Sequence, residues 1–349
     1  MSPTDAPPGP DAAPAPAAAP ALVVTPHAEH GVAAYARDLA AAVARETGRR
    51  VAELTLQPEA LTGHAPPARA HLHFTDRLWA GSPEEAAVRF EELAAHTAVS
   101  VTLHDLPQPS DGERNLRRRS ECYARVVELA SGVACNSRHE RELLAEYGGG
   151  ASPAVVIPLP VEMLPAPAVR PEPDGSVALI GFFYPGKGHA ETVDALAALP
   201  ARLHSHPLRL AALGRASPGH EGELDALLAA AAARRVAVEV TGYLDDATLV
   251  ERCRHASVPV IAHRHVSASA SLTAWIAAGR RPLVADNRYS REMDALRPGT
   301  LTLVADDDWT TAIARALDEP ESTWLEAEAV TAPDWAAVAR SYLSWWETL

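Results

Sequence analysis

SVALIGFFYPGKGHAETVDALA, residues 176–197, passes from an apolar strand through a glycine turn into an amphipathic helix. The apolar run ends at Gly181, the turn is Pro185-Gly186-Lys187-Gly188, and the helix follows at once. A strand that delivers backbone amides and one lysine to a helix N-terminus makes a phosphate site. The GxxxxGK[ST] spacing is absent, and Gly188 rather than Ser or Thr follows Lys187, so this is not a Walker loop. The pattern points to another phosphate ligand, a nucleotide sugar. The plain alternative is a strand–helix unit with a surface lysine.

Working outward, near-continuous apolar strands recur at residues 177–180, 208–213, 236–241, 258–262, 282–285 and 300–304. Strands of this kind are covered on both faces of a parallel sheet. An earlier series lies at residues 21–25, 51–56, 70–74, 99–103, 133–135 and 154–158. Between the first two of these, Val32, Tyr35, Leu39 and Val43 lie on one face of a 3.6-residue period. Alternating strands and helices predict an α/β fold with right-handed crossovers. The expected units are a disordered Pro/Ala-rich tail (1–20), a first domain (21–160), a Pro-rich linker (161–175), a second domain (176–332) and a terminal helix (333–349) that packs back across the first domain. Two such domains leave a cleft between the carboxyl ends of two sheets, where ligands of doubly wound folds bind.

Composition narrows the function classes. The 349 residues suffice for two domains. A net charge of −14 argues against nucleic acid as a partner. Arg117–Arg119 is the one basic cluster, read as a solvated helix start or a contact for a phosphorylated substrate or anionic lipid. Three widely spaced cysteines form no CxxC pair, which fits a reducing cytoplasm. No apolar run approaches the roughly 20 residues of a membrane span, so membrane contact would be peripheral.

Three constellations face the expected cleft. In VTLHDLP, His104 and Asp105 stand where a strand gives way to a loop; a buried structural histidine is the other reading. Lys187 of the PGKG turn would offset charge on a leaving diphosphate. In HRHVSASASLTAWIAAG, residues 263–279, Ser271 is expected to cap a helix, with Ser267 and Ser269 adding to a second anion site; the plain reading is a helix cap with solvated serines. The histidine pairs 71/73, 204/206 and 263/265 lack acidic or cysteine partners at ligand spacing, so no metal is expected. No GxSxG elbow is present.

Taken in order, HGVAAYARDLAAAV, VTLHDLP, VACNSRHERELL, VIPLPVE, LIGFFYPGKGHAETVDALAAL, VTGYLDDATLVERCRHASVPVIAH, NRYSREM and the tryptophan-bearing terminal helix resemble the retaining glycosyltransferases of the GT-B fold, family 4 and its relatives. The resemblance implies two Rossmann-like, doubly wound parallel-sheet domains facing a cleft. It implies hexosyl transfer from a nucleoside diphosphate sugar, without cofactor or metal, to an acceptor the sequence does not specify. His104 would lie beside the donor sugar, with Asp105 and Lys187 as further catalytic groups. Gly31, Gly186 and Gly188 would approach sugar or phosphate, and Gly242, Tyr243 and Leu244 would hold the base. Two departures stand out. Phe182 and Phe183 occupy the place of the usual arginine. The family's Glu-x₇-Glu motif, aligned by its trailing glycine on Gly279, falls on Val266 and Ala274. Replacement partners would come from Ser267, Ser269, Thr273 and Arg281. The loss of both glutamates favours a second reading, a noncatalytic module of the same fold that binds a partner transferase or a sugar nucleotide. A sugar-nucleotide epimerase would need acid–base carboxylates, and only Asp105 is at hand.

Overall fold

The computed structural model describes residues 19–24, 30–55, 67–148, 154–200, 208–306 and 308–349. Most of the predicted tail, most of the loop before Gly31, and His204 and His206 lie outside the described residues. The first sheet comprises β1 (Ala21–Val24), β2 (Glu53–Thr55), β3 (Arg69–Phe74), β4 (Ala98–Leu103), β5 (Gly132–Cys135) and β6 (Val155–Val156), in the order β2-β1-β3-β4-β5-β6. The second comprises β7 (Ser176–Ile180), β8 (Arg209–Leu213), β9 (Ala237–Val240), β10 (Val258–Ile261), β11 (Leu283–Ala285) and β12 (Thr302–Val304), in the order β12-β11-β10-β7-β8-β9. Every pairing between these strands is parallel.

Parallel pairing requires crossovers, and helices supply them. In chain order they are α1 (Gly31–Thr47), α2 (Asp76–Trp79), α3 (Pro83–Ala94), α4 (Glu113–Leu129), α5 (Arg138–Tyr147), α6 (His189–Ala198), α7 (Glu221–Ala233), α8 (Asp246–His255), α9 (Ala270–Ala277), α10 (Arg288–Leu296), α11 (Trp309–Asp318) and α12 (Trp335–Trp346). Local chemistry sets several starts. Ser82 caps α3 with Pro83 behind it, Ser137 caps α5, and Asn287 and Ser290 form a capping box on α10.

Each sheet is covered on both faces, as its apolar strands demand. On the first, Phe90, Tyr123 and Leu144 from α3, α4 and α5 pack one side. Leu39 and Val43 of α1, with Val338, Tyr342 and Trp346 of α12, pack the other. Val193, Leu227 and Ile313 of α6, α7 and α11 cover one face of the second sheet. Leu272, Trp275 and Met293 of α9 and α10 cover its opposite face. The chain thus crosses to the second domain after β6 and returns before α12. The two crossings touch, because Val161 N donates to Pro333 O at 2.9 Å.

Strand order fixes where a ligand belongs. In each sheet the winding reverses direction once, between β1 and β3 and between β7 and β10. A crevice at the carboxyl end of such a reversal is the binding place of open parallel sheets.

Candidate functional site

At the first reversal, His104 follows β4 directly and is held by its backbone. His104 N donates to Phe74 O at 2.8 Å, and Tyr123 Oη donates to His104 O at 2.6 Å. The ring meets a second imidazole, His73 Nδ1 lying 3.0 Å from His104 Nε2. Burial drives both toward the neutral form, with His104 pushed down to about 3 by burial and then by His30, and His73 well below its ordinary value. His73 Nε2 is buried without a partner. A buried lone pair costs less than a buried orphan N–H, so His73 donates from Nδ1, and His104 turns an Nδ1–H outward. The end of β4 presents a hydrogen-bond donor. His71 has a different job: it bonds Ser100 Oγ at 3.0 Å and Thr102 Oγ1 at 3.2 Å inside the core.

Asp105 is forced into the left-handed region, φ 50°, uncommon for a residue with a Cβ and a frequent mark of functional sites. Buried Arg119 holds it there. Its guanidinium donates to Asp105 O and, at 3.0 Å, to Asp105 Oδ2, while also bonding Asp76 at 3.1 Å and Asp111 at 2.6 Å. Burial opposes its charge, but the carboxylates of Asp105, Asp76 and Asp111, together with Tyr123, keep it protonated. The reading of Arg117–Arg119 as a solvated helix start is corrected here: Arg119 is 2% exposed, because three aspartates at the ends of β3 and β4 require a buried cation.

At the second reversal, the PGKG turn folds Lys187 back over the end of β7. Its ammonium lies 3.4 Å from Ser271 Oγ, and a Cβ on Gly181 would meet it at 3.5 Å. Ser271 Oγ in turn donates to Ile180 O at 3.0 Å. The turn and the start of α9 therefore meet. Gly188, φ 101°, starts α6 where a Cβ would stand 2.6 Å from Ala262 O, so only glycine brings this turn against β10. Gly186, φ 87°, accepts from Arg264 N at 3.2 Å. Tyr184 places its ring 5.7 Å from the ammonium; burial and then Asp105 of the first domain push its hydroxyl up to about 12.

The serine-rich loop closes one side of the cleft. Ser267 Oγ accepts from Leu106 N at 3.0 Å and donates to Glu140 Oε1 at 2.6 Å. Glu140 is fully buried, and burial raises its carboxyl to about 7. Next to it His139 Nε2 donates to Val266 O at 2.7 Å, and Arg288 Nε donates to His139 Nδ1 at 2.8 Å. Glu292 of α10 accepts from the amides of Arg138 and His139 at 2.7 and 2.8 Å, a carboxylate of one domain at a helix start of the other.

Several expected roles change. Ser269, not Ser271, caps α9, its side chain accepting from Leu272 N at 3.2 Å; Ser271 is one position inside the helix and is turned to Lys187. Ser267 is buried and engaged by Glu140 and Leu106, so it is not the solvated serine of the plain reading. Thr273 spends its hydroxyl on Ala270 O of its own helix. Arg281 stands before β11, at the sheet edge opposite the crevice, and bonds Leu301 O at 3.2 Å. Gly31 opens α1 behind His30, whose ring accepts from Val32 N at 3.2 Å.

Gly242, φ 73°, donates to Gly214 O at 3.0 Å, and Tyr243 is 63% exposed while Leu244 packs on the core. Gly214 escaped the sequence reading. A Cβ there would stand 2.2 Å from Gly181 O, so Gly181, Gly214 and Gly242 form a row of bare backbone along the ends of β7, β8 and β9. An apolar run ending in glycine, as at Gly181, was its available signal. Also missed was Arg215, whose guanidinium lies 5.7 Å over the Phe182 ring, near where an arginine was lacking. Among the described residues no group of three or more His, Cys, Asp or Glu is placed to hold a metal ion, and no helix is long and apolar enough to cross a membrane.

No protein-family model matches the chain, and no curated protein matches it in sequence. Solved structures do. Anabaena Alr3699/HepE in complex with UDP and glucose superposes with a TM-score of 0.71 at 14% identity, covering 94% of this chain and 99% of its own. Sucrose-phosphate synthase from Thermosynechococcus elongatus gives 0.64 at 17% identity, covering 95% and 96%. The lipopolysaccharide outer core galactosyltransferase WaaB gives 0.56 at 10% identity, covering 93% and 96%. The chain has the GT-B fold of two Rossmann-like domains.

Proposed function

We propose that the protein transfers a hexosyl unit from a nucleoside diphosphate sugar to an acceptor held by the first domain. The observation that carries this reading is the meeting of Lys187 with the start of α9 at the winding reversal of the second sheet. There a diphosphate finds an ammonium, the free amides of α9 and the bare backbone of Gly181 and Gly214. The fold shared with a structure that holds UDP and glucose supports the same choice. His104 would donate from Nδ1 to a sugar hydroxyl, and Asp105 would accept from a hydroxyl of sugar or acceptor. Arg215 would supply a second cation. The work of the protein is then positioning and leaving-group stabilisation. Retention of configuration and independence of metal belong to this reading through the family resemblance.

A thermal-shift screen against UDP, GDP, ADP and dTDP and their hexose conjugates, with and without magnesium, tests it. A ligand at about a hundred times its dissociation constant stabilises by roughly 2.7 kcal/mol. A shift with one nucleotide followed by slow hydrolysis of its sugar conjugate supports transfer. Absence of both supports the noncatalytic module, which the resemblance itself favours, since the family's Glu-x₇-Glu motif falls on Val266 and Ala274, and Ser267 is already engaged by Glu140.

A further inference from the structure

The chain contains thirty arginines and a single lysine, Lys187. That lysine is 6% exposed, and among the described residues no carboxylate lies within ion-pair distance of its ammonium. An arginine cannot give up its proton, whereas a buried lysine can. The surroundings explain the choice. On its own turn Lys187 faces the Tyr184 ring. At the start of α6 stands His189, 2% exposed, with both ring nitrogens buried and unpartnered and its ring 5.1 Å from Phe183. Beyond the end of β10 lies His263, also buried. From α9 comes only the hydroxyl of Ser271. The nearest acid of α6, Glu191, is taken by Arg264 at 2.8 Å. Across the cleft Asp105 is occupied by Arg119 and Arg77, and Arg215 lies over Phe182.

Three groups able to carry positive charge thus share a buried corner, with no counter-ion among the described residues. Charging any of them in the empty site is costly. Resting on the diphosphate reading above, we infer that in mildly alkaline solution the empty site is electrically neutral and that the nucleoside diphosphate brings the missing charge, so that up to one proton from solvent is taken up on Lys187 as the ligand binds and returned as it leaves. The balance is simple: the neutral amine gains H⁺ and becomes the ammonium that faces the phosphate oxygens. Burial alone already pushes the Lys187 ammonium down to about 7. The site is therefore selective for a fully ionised diphosphate over a neutral ligand of equal size.

A single lysine makes the test direct. Protein grown on [ε-¹³C]lysine has one side-chain Cε signal, whose shift reports protonation. In the free protein it should titrate between pH 6 and 9, and saturating UDP, ADP or GDP, whichever shifts the backbone amides, should move the midpoint up by one unit or more. Affinity for that nucleotide should fall from pH 7.5 to 8.5, by about twofold for a one-unit rise and up to about eightfold for a large one. A free-protein signal that stays protonated to pH 9 overturns the inference. A nucleotide that shifts the amides and leaves the Cε midpoint unmoved overturns it while the diphosphate reading stands. If no nucleotide shifts the amides, both fail.

Discussion

Ser267 donates a 2.6 Å hydrogen bond to Glu140 across the two domains. The loop expected to hold phosphate is thereby tied to a buried carboxyl of the other sheet, and its geometry is set by interdomain chemistry. Burial holds Glu140 at about 7, above its ordinary 4.5. Its stabilising share is complete below about pH 4.5 and is lost as pH rises through 7. Glu140→Gln should therefore gain on the wild type, by about 1–3 kcal/mol, on going from pH 5 to pH 8. Urea unfolding at the two pH values checks this; an equal difference at both removes Glu140 from the account.

Lys187 works with the opposite sign. Its folded value near 7 lies below the ordinary 10.5, so the unfolded chain binds the extra proton between those limits and stability rises with pH across them. Lys187→Met should stabilise the ligand-free protein at pH 6.5, by on the order of 1–3 kcal/mol and hence with a higher melting temperature, with the gain shrinking toward pH 10. The same variant should lose the nucleotide-induced shift.

Five of the six buried imidazoles among the described residues set the acid limit. Burial pushes His71, His104 and His189 down to about 3, and His73 and His263 well below their ordinary value. Each lowers stability by about 1.4 kcal/mol per pH unit below 6.5, until its folded value is reached. Unfolding within about two units of pH 6.5 is expected. A native circular-dichroism spectrum at pH 4 would mean that these rings are wet.

Arg119 bridges Asp76, Asp105 and Asp111 from one buried position. Removing one partner of such a cluster strands the others, at about 3–5 kcal/mol. Arg119→Met should show this in chemical denaturation. Arg119→Lys should recover part of the stability but not the conformation of Asp105, so kcat should stay low after the fold is restored.

Gly214→Ala tests the bare row at the strand ends. With a Cβ 2.2 Å from Gly181 O, β7 and β8 must separate where the diphosphate is proposed to lie. About 1–3 kcal/mol of stability and most nucleotide affinity should go together.

Each strand was legible because parallel sheets covered on both faces write apolar runs, and SVALI is buried at every position. Lys187 was legible because a turn between strand and helix is a local pattern. The partners were not. Ser271 was read as a cap since serine before an apolar run suits one, yet Ser269 took that place and left Ser271 to meet a lysine 84 residues away. Glu140 drew no notice in the sequence, because its partner Ser267 lies 127 residues away and only the fold brings the two together. Arg281 is near Gly279 in sequence, yet its guanidinium bonds Leu301 O beside the start of β12, and position in the chain alone does not say which end of the sheet a residue reaches.

The paired crossings at Val161 and Pro333 make the second domain, topologically, an insertion in the first. A body hung on one tether can wander through a cone of orientations; one held by two connections that meet at a hydrogen bond has less freedom to reorient. Opening the cleft therefore strains both connections, which meet where Val161 N donates to Pro333 O. Its first cost is the set of bonds that Ser267, Val266 and Glu292 make across the gap.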